Sequence, residues 1–167
     1  VTYNTLAWAP SPAGANNKGF DYLTMLTDNN PLNVERVVFA PNLGEPLNGG
    51  SELYELYVWI PGDSTLCRKL RVEVYEGGVI DPNPENPAAN RFRIDVDQAG
   101  LTGWVRLQTA NRSSFRHNAL APLYVAITNY TNDVDQVANQ RDPLAVHDVE
   151  LGLAERRRQL VFHHLHL

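Results

Sequence analysis

Hydrophobic and polar residues alternate with a period of two in two segments of the chain. In residues 69–75, the apolar positions are Leu70, Val72 and Val74, and charged residues stand between them. Residues 91–97 repeat the same alternation. A period of two is typical of a strand with one face in the core and the other in water. We therefore predict antiparallel pairing and one wet face for both strands.

Further β-rich segments are separated by loops rich in Pro, Gly and Asn. They occupy residues 35–40, 52–60, 104–108, 123–129 and 146–153. The segment at 123–129 loses the alternation in part, which predicts burial on both of its faces. Residues 21–26 fit one or two helical turns, and there is no long amphipathic helix. About seven strands of this kind predict an all-β chain, an antiparallel two-sheet β-sandwich of jelly-roll-like form.

The strand pattern divides the chain into three parts. Residues 1–35 are predicted to be an irregular N-terminal arm, 36–153 the β-sandwich domain, and 154–167 a C-terminal tail that forms a short arm or helix. The chain begins with Val1, so we expect a processed product or an excised fragment. Arms are costly to order in a lone monomer, so we expect neighbouring subunits to hold them.

Charge and cysteine content narrow the function classes. The net charge of −5 makes the chain a poor general binder of nucleic acid. The three consecutive arginines of the tail, Arg156, Arg157 and Arg158, are interpreted either as a solvated arm or as a contact with RNA or with an acidic partner subunit. A single Cys excludes an intrachain disulfide and a Cys-based zinc site. No apolar run approaches the roughly 20 residues of a membrane span. The sequence contains no cofactor-binding motif, so we expect no cofactor.

The residue types of a Ser-His-Asp hydrolase occur together without its motif. The candidates are Ser113 or Ser114 as nucleophile, His117 as base, and Asp142 or Asp148 as the orienting carboxylate. A hydroxyl needs such a base, and the base needs such a carboxylate, to become a nucleophile. The chain has no Gly-x-Ser-x-Gly turn. The competing prediction is that residues 113–118 form a polar loop.

Two acidic pairs are candidates for calcium, which takes six to eight oxygen ligands. They are Asp95 with Asp97 and Asp133 with Asp135. The first pair is predicted to share one strand face, and the second lies in an oxygen-rich stretch without the Gly and terminal Glu of an EF-hand. A solvated strand face and a polar turn are the alternatives, and we predict no metal. The tail histidines His163, His164 and His166 are a further metal candidate, and the alternative is that their close spacing has no role in metal binding.

Aromatic residues offer a different kind of site. Tyr57, Trp59 and Trp104 belong to predicted strands, and most such residues in a sandwich lie in the core. A sugar-binding module instead places two or three of them on an exposed face, where sugar C–H groups stack on the rings. Exposure of the tryptophans therefore discriminates between a core role and a sugar-binding role.

Three phrases of the chain resemble known proteins. They are Asp28–Asn33 (DNNPLN), Trp59–Asp63 (WIPGD) and Ala121–Ile127 (APLYVAI). In their loop and strand sequences, these segments resemble capsid proteins of picorna-like insect RNA viruses, of the iflavirus and dicistrovirus type. The resemblance implies a virion protein that contacts neighbouring subunits, either other capsid proteins or further copies of itself in a homo-oligomer. It also implies contact with a cell-surface receptor. Some iflavirus protruding domains carry an Asp-His-Ser constellation with adjacent His and Ser, but this chain has no such pair.

Three functions follow from these patterns. The leading hypothesis is a non-enzymatic structural or binding β-sandwich, a capsid protein or capsid surface domain located in the virion. The second is a secreted, extracellular carbohydrate-binding module that uses Tyr57, Trp59 and Trp104 to bind a glycan. The third is an esterase-like hydrolase built on the Ser-His-Asp candidates.

Overall fold

The fold was analysed in a computed structural model of the chain. The structure describes residues 2–3, 9–11, 22–32, 34–40, 43, 46, 50–60, 68–78, 80–88, 90–98, 100–118, 120–131, 143–146, 149–153 and 159–161. Within these residues every regular element is a strand, so the predicted all-β class is confirmed.

The described residues form thirteen strands. They are β1 (Thr2–Tyr3), β2 (Ala9–Ser11), β3 (Tyr22–Leu26), β4 (Arg36–Phe39), β5 (Ser51–Ile60), β6 (Lys69–Glu76), β7 (Arg91–Asp97), β8 (Gly103–Leu107), β9 (Phe115–Asn118), β10 (Leu123–Thr128), β11 (Pro143–Val146), β12 (Val149–Leu153) and β13 (Gln159–Val161). The seven predicted strands all occur, and six of them keep both ends within one residue of the prediction. The seventh, predicted at 146–153, begins at Val149.

The strands pair antiparallel throughout the described residues. The first sheet has the order β1-β4-β10-β6-β7, and a small second sheet has the order β11-β3-β2. The third sheet has the order β13-β12-β5-β8, and β9 pairs with the remaining length of β5. Strand β1 is joined to β4 and strand β13 to β12, so both predicted arms contribute strands to the sheets.

Two local predictions are wrong. Residues 22–26 are strand β3, paired on both sides by β2 and β11, and not helical turns. Long-range pairing overrides the local apolar spacing here, because five residues are too short to hold a helix alone. Residues 115–118 form β9 and not a polar loop. Phe115 and His117 are both buried on one side of it, so a histidine occupies an apolar position of the alternation.

One hydrophobic cluster draws side chains from the first and third sheets. Its buried members are Val37, Tyr54, Leu56, Val58, Ile60, Leu70, Val72, Val74, Ile94, Val96, Leu107, Phe115, Leu123, Val125 and Ile127. They stand at alternate positions of their strands, as the period of two predicts. Each fully buried Leu, Ile or Val side chain contributes about 1.5–3 kcal/mol, so this cluster is the main source of stability.

The predicted wet face of β6 is wrong, whereas that of β7 is confirmed in large part. On β6, Arg71 and Glu73 are buried, and Glu73 is 0% exposed. On β7, Asp95 and Asp97 remain exposed while Arg91 is buried. Strand β10 is buried at five of its six residues, as its broken alternation predicts. The sequence pattern shows which residues share a face, but it does not show what covers that face.

Candidate functional site

The antiparallel register of β5 and β8 brings the three predicted aromatic residues onto one sheet face. Trp59 stands directly opposite Trp104, and Tyr57 stands two residues along β5, opposite Arg106. On β5, residues 54, 56, 58 and 60 point into the core, so the odd-numbered residues face outwards. We call Tyr57, Trp59 and Trp104 the aromatic platform.

The two indole rings of the platform meet edge to face. Their centroids lie 5.4 Å apart, and the ring planes are inclined at 80°. Trp104 is 38% exposed, and Trp59 is half-buried. This geometry is favourable for an aromatic pair, because the positive edge of one ring meets the negative face of the other. The perpendicular planes form a corner in which the exposed surface belongs mainly to Trp104.

Polar groups lie next to the platform on the same face. The Tyr57 hydroxyl donates a hydrogen bond to Oε2 of Glu55 over 2.8 Å. Arg106 forms an ion pair with Oε1 of the same carboxylate and also donates from Nη2 to the Ser113 carbonyl over 3.2 Å. Leu53 continues the face by one more position and is exposed. The platform therefore sits beside hydrogen-bonding groups that are held in place.

His117 is placed differently from a triad base. Its ring is buried, lies edge-on to Tyr54, and accepts a hydrogen bond at Nδ1 from the Leu123 backbone N–H over 3.2 Å. In a Ser-His-Asp unit Nδ1 donates to the carboxylate, which leaves Nε2 free to take the serine proton. An accepting Nδ1 puts the proton of the neutral ring on Nε2. Ser113 is exposed and Ser114 is half-buried, both just before the strand that buries His117.

The first acidic pair is neutralised by cations. Asp95 accepts two hydrogen bonds from Arg71, at 2.9 and 3.1 Å, and lies 3.6 Å from Nζ of Lys69. Asp97 pairs with Arg68 at 3.0 Å. Both acids share the exposed face of β7, as predicted, but the neighbouring strand β6 meets Asp95 with positive charge. Among the described residues, no group of three or more His, Cys, Asp or Glu side chains is arranged to hold a metal.

The remaining predicted site residues lie outside the described residues. They are Arg156, Arg157 and Arg158 of the tail, the acids Asp133, Asp135, Asp142 and Asp148, and the histidines His163, His164 and His166.

A buried charged cluster on the outer face of the first sheet went unpredicted. Glu73 lies at its centre, with Nε of Arg36 3.3 Å from Oε2. Nη1 of Arg91 and Nε of Arg93 lie 3.6 and 3.9 Å from Oε1. The Tyr75 hydroxyl donates to Oε2 over 2.8 Å. Three guanidinium groups therefore share one fully buried carboxylate.

Residues 80–88, which we call the covering loop, lie over this cluster. Their carbonyl groups accept hydrogen bonds from the arginines: Pro82 from Arg36 over 3.2 Å, and Asn83 from Arg91 over 3.0 Å. Arg93 donates to the Pro84 carbonyl as well. A loop with three prolines presents carbonyls without matching N–H donors, which suits a surface of arginine side chains. The Pro-rich segment between β6 and β7 is the feature of the sequence from which a loop over this sheet face could have been predicted.

Burial and neighbouring glutamates raise the pKa of three tyrosines, two of which lie near the charged cluster. Burial, reinforced by the Glu73 charge, raises the pKa of Tyr75 to about 12. Burial and a hydrogen bond to Glu85 of the covering loop raise the pKa of Tyr130 to about 12. On the core side of β5, burial and the hydrogen bond to Glu52 raise the pKa of Tyr54 to about 12. In each case the fold favours the neutral phenol.

Comparisons with models of protein families, with curated proteins and with solved structures found no match to this chain. The resemblance to insect-virus capsid proteins therefore stays a prediction. Across the residues that the structure describes, no helix has the length and hydrophobicity that a membrane crossing requires.

Proposed function

We propose that the chain is a non-catalytic β-sandwich domain that binds carbohydrate on the outer face of its third sheet. The observation that carries the proposal is the aromatic platform. Two of its rings meet across adjacent strands, and the outermost, Trp104, is 38% exposed. Most tryptophans of a sandwich belong in the core, so an exposed ring on a sheet face indicates a contact surface.

The chemistry of the face suits a sugar. The apolar C–H side of a pyranose stacks on the flat indole of Trp104, and the hydroxyl groups then meet Glu55 and Arg106 beside it. Both polar groups are already oriented by their mutual ion pair and by the Tyr57 hydroxyl. Groups that are fixed before binding lose less entropy when the ligand arrives.

The length of the face indicates the size of the ligand. Leu53, Glu55, Tyr57 and Trp59 follow one another along β5, and six residues of strand span about 20 Å. A single sugar ring covers only part of that distance. We therefore expect an oligosaccharide to bind more tightly than a monosaccharide.

The test is a fluorescence titration with a panel of neutral and acidic oligosaccharides. The chain has three tryptophans, so a ligand that stacks on the platform changes the emission. Trp104→Ala is expected to weaken binding by at least about fivefold, since one stacked ring contributes on the order of 1 kcal/mol or more. Isothermal titration calorimetry provides the affinity where the remaining tryptophans report weakly.

Tyr124→Ala is the matched control. Tyr124 is also a half-buried aromatic residue on an outer sheet face, but it belongs to β10 of the first sheet. Its removal is expected to leave sugar affinity unchanged. Absence of binding by every oligosaccharide at millimolar concentration, or equal losses in the two variants, would exclude the carbohydrate proposal.

A second candidate is subunit assembly, as in a virus capsid or its surface domain. The same face favours it, because Trp, Tyr and Arg are the residues enriched where protein subunits meet. On this hypothesis Trp104 is covered by a neighbouring subunit and not by sugar. Sedimentation velocity over a hundredfold range of concentration separates the two: assembly predicts oligomers that Trp104→Ala dissociates, whereas carbohydrate binding predicts an unchanged monomer.

A further inference from the structure

A pocket opens between the covering loop and strand β7 of the first sheet, whereas the aromatic platform belongs to the third sheet. Its volume is about 420 Å³, and it is lined by Asn86, Pro87, Ala88, Arg91 and Arg93. Both charged residues of the lining are arginines. The proposed carbohydrate site uses none of these residues.

Positive charge beneath this pocket is incompletely compensated. Glu73, the nearest buried carboxylate, is shared by Arg36, Arg91 and Arg93. Three atoms of the cluster are buried and have no hydrogen-bond partner among the described residues: Nη2 of Arg91, Nη2 of Arg36 and Oε1 of Glu73. A buried guanidinium nitrogen without an acceptor is costly, so a further negative charge nearby would stabilise this cluster.

The two acids of the covering loop are engaged with other groups. Asp81 accepts hydrogen bonds from the Asn83 backbone N–H, at 2.8 Å, and from the Asn86 side chain, at 3.1 Å. Glu85 accepts one from the Tyr130 hydroxyl. Neither carboxylate is hydrogen-bonded to Arg91 or Arg93 among the described residues, and the charge of Asp81 acts on Arg91 only from a distance.

Arg93 is the residue able to reach a ligand. Its side chain is 36% exposed, and its Nη2 donates to the Pro84 and Asn86 carbonyls of the covering loop. Among the described residues no hydrogen bond uses its Nη1. Burial lowers the pKa of Arg93, and the positive charge of Arg91 lowers it further.

We propose that this pocket binds a small oxyanion, a phosphate or carboxylate group, through Nη1 of Arg93, with Arg91 beneath it as the second positive charge. Because Nε and Nη2 of Arg93 already face Glu73 and the loop carbonyls, the ligand receives charge-assisted hydrogen bonds from Nη1 alone, which either kind of oxyanion can accept. The ligand would supply the counter-charge that Glu73, shared three ways, does not supply alone. The site would give a chain of net charge −5 a local attraction for anions.

The test is an NMR titration with two probes, inorganic phosphate and acetate, at constant ionic strength in chloride. Saturable shifts are expected at the backbone amides of Asn86, Ala88 and Arg93. Arg93→Gln is expected to weaken the binding of at least one probe by about tenfold or more, since it removes a charge-assisted hydrogen bond. The stronger probe identifies which oxyanion the site prefers.

Arg112→Gln is the matched control, because the Arg112 side chain is also 36% exposed and also pairs with a glutamate, Glu76. It is expected to bind both probes within twofold of the wild type. Arg93→Lys keeps the positive charge but removes the guanidinium group, so it is expected to retain part of the affinity. This variant provides the test if Arg93→Gln does not fold. Shifts that are linear in concentration, or losses that are equal at Arg93 and Arg112, overturn the proposal.

Discussion

The outer faces of the first and third sheets are both formed by the strand residues that point away from the core, but the two faces lie in different environments. On β6, Arg71, Glu73 and Tyr75 are all buried, beneath arginines of neighbouring strands and the covering loop. On β5, Tyr57 and Trp59 stay half-exposed with no such loop over them among the described residues. The face rich in charge is therefore enclosed, whereas the face rich in aromatic rings is open.

This contrast reverses the usual relation between residue type and burial. Charged side chains are rarely buried unless they are paired, and the cluster satisfies that condition through Glu73 and the carbonyls of the covering loop. Aromatic side chains are rarely left exposed without a reason, and a ligand or partner provides one. On the proposals made above, the enclosed face serves mainly stability and the open face serves recognition.

Removal of the central carboxylate should separate the two faces most strongly. Glu73→Gln leaves two buried arginines, Arg36 and Arg91, without their shared counter-charge, and we expect a loss of about 3–5 kcal/mol in the free energy of unfolding. Urea denaturation measures it. Asp97→Asn is the control, since Asp97 is a carboxylate of the same sheet but is 55% exposed and pairs with Arg68 at the surface. Its expected cost is under about 1 kcal/mol, and comparable losses in the two variants would contradict the enclosed cluster.

Alkaline pH should weaken the fold through the buried tyrosines. Tyr54, Tyr75 and Tyr130 each have a pKa of about 12 in the folded chain, against an ordinary value of 10. Their contribution to stability is complete below pH 10 and is lost as the pH rises from 10 towards 12. Across that window each tyrosine changes the unfolding equilibrium constant by up to about tenfold per pH unit. Urea denaturation at a series of pH values should show the decline.

Tyr75→Phe is the control for the alkaline prediction. It removes one titrating group from the enclosed face, so the decline between pH 10 and 12 should become shallower. A decline as steep as that of the wild type would show that the pKa of Tyr75 does not differ between the folded and the unfolded chain.

The sequence predicted the strands with strict alternation well, because burial of every second residue is a local property of a pleated strand. It missed β9, where His117 takes an inward position beside Phe115 and so hides the period of two. It also misjudged residues 22–26, whose strand conformation depends on pairing with β2 and β11. Contacts between distant segments decided both cases.

The platform was predictable in its residues but not in its geometry. Tyr57, Trp59 and Trp104 were candidates from residue type alone, and only the register of β5 with β8 sets Trp59 opposite Trp104. The charged cluster could not be found in this way. Its members come from three strands, and its burial depends on how the covering loop folds back over them.

A matched pair of hydroxyl deletions should sharpen the comparison at smaller effect. Tyr130 and Tyr57 each donate a hydrogen bond to a glutamate, on the enclosed and the open face respectively. Tyr130→Phe is expected to cost about 1–2 kcal/mol and to accelerate amide exchange at Glu85 and Asn86 of the covering loop. Tyr57→Phe should cost less than about 0.5 kcal/mol, because water replaces the lost partner. A larger cost at Tyr57 would show that the open face is also structural.

A small effect on stability is expected at Trp104, the residue most important for the proposed sugar binding. Trp104→Ala removes an exposed ring and its edge-to-face contact with Trp59, so its cost should be about 1 kcal/mol or less. Leu107→Ala, on the same strand but fully buried in the core, should cost about 2–5 kcal/mol in the same urea experiment. If Trp104→Ala were as costly as Leu107→Ala, the ring would belong to the core, and lost sugar binding in that variant would reflect a damaged fold. A small cost instead assigns any lost binding to the platform itself.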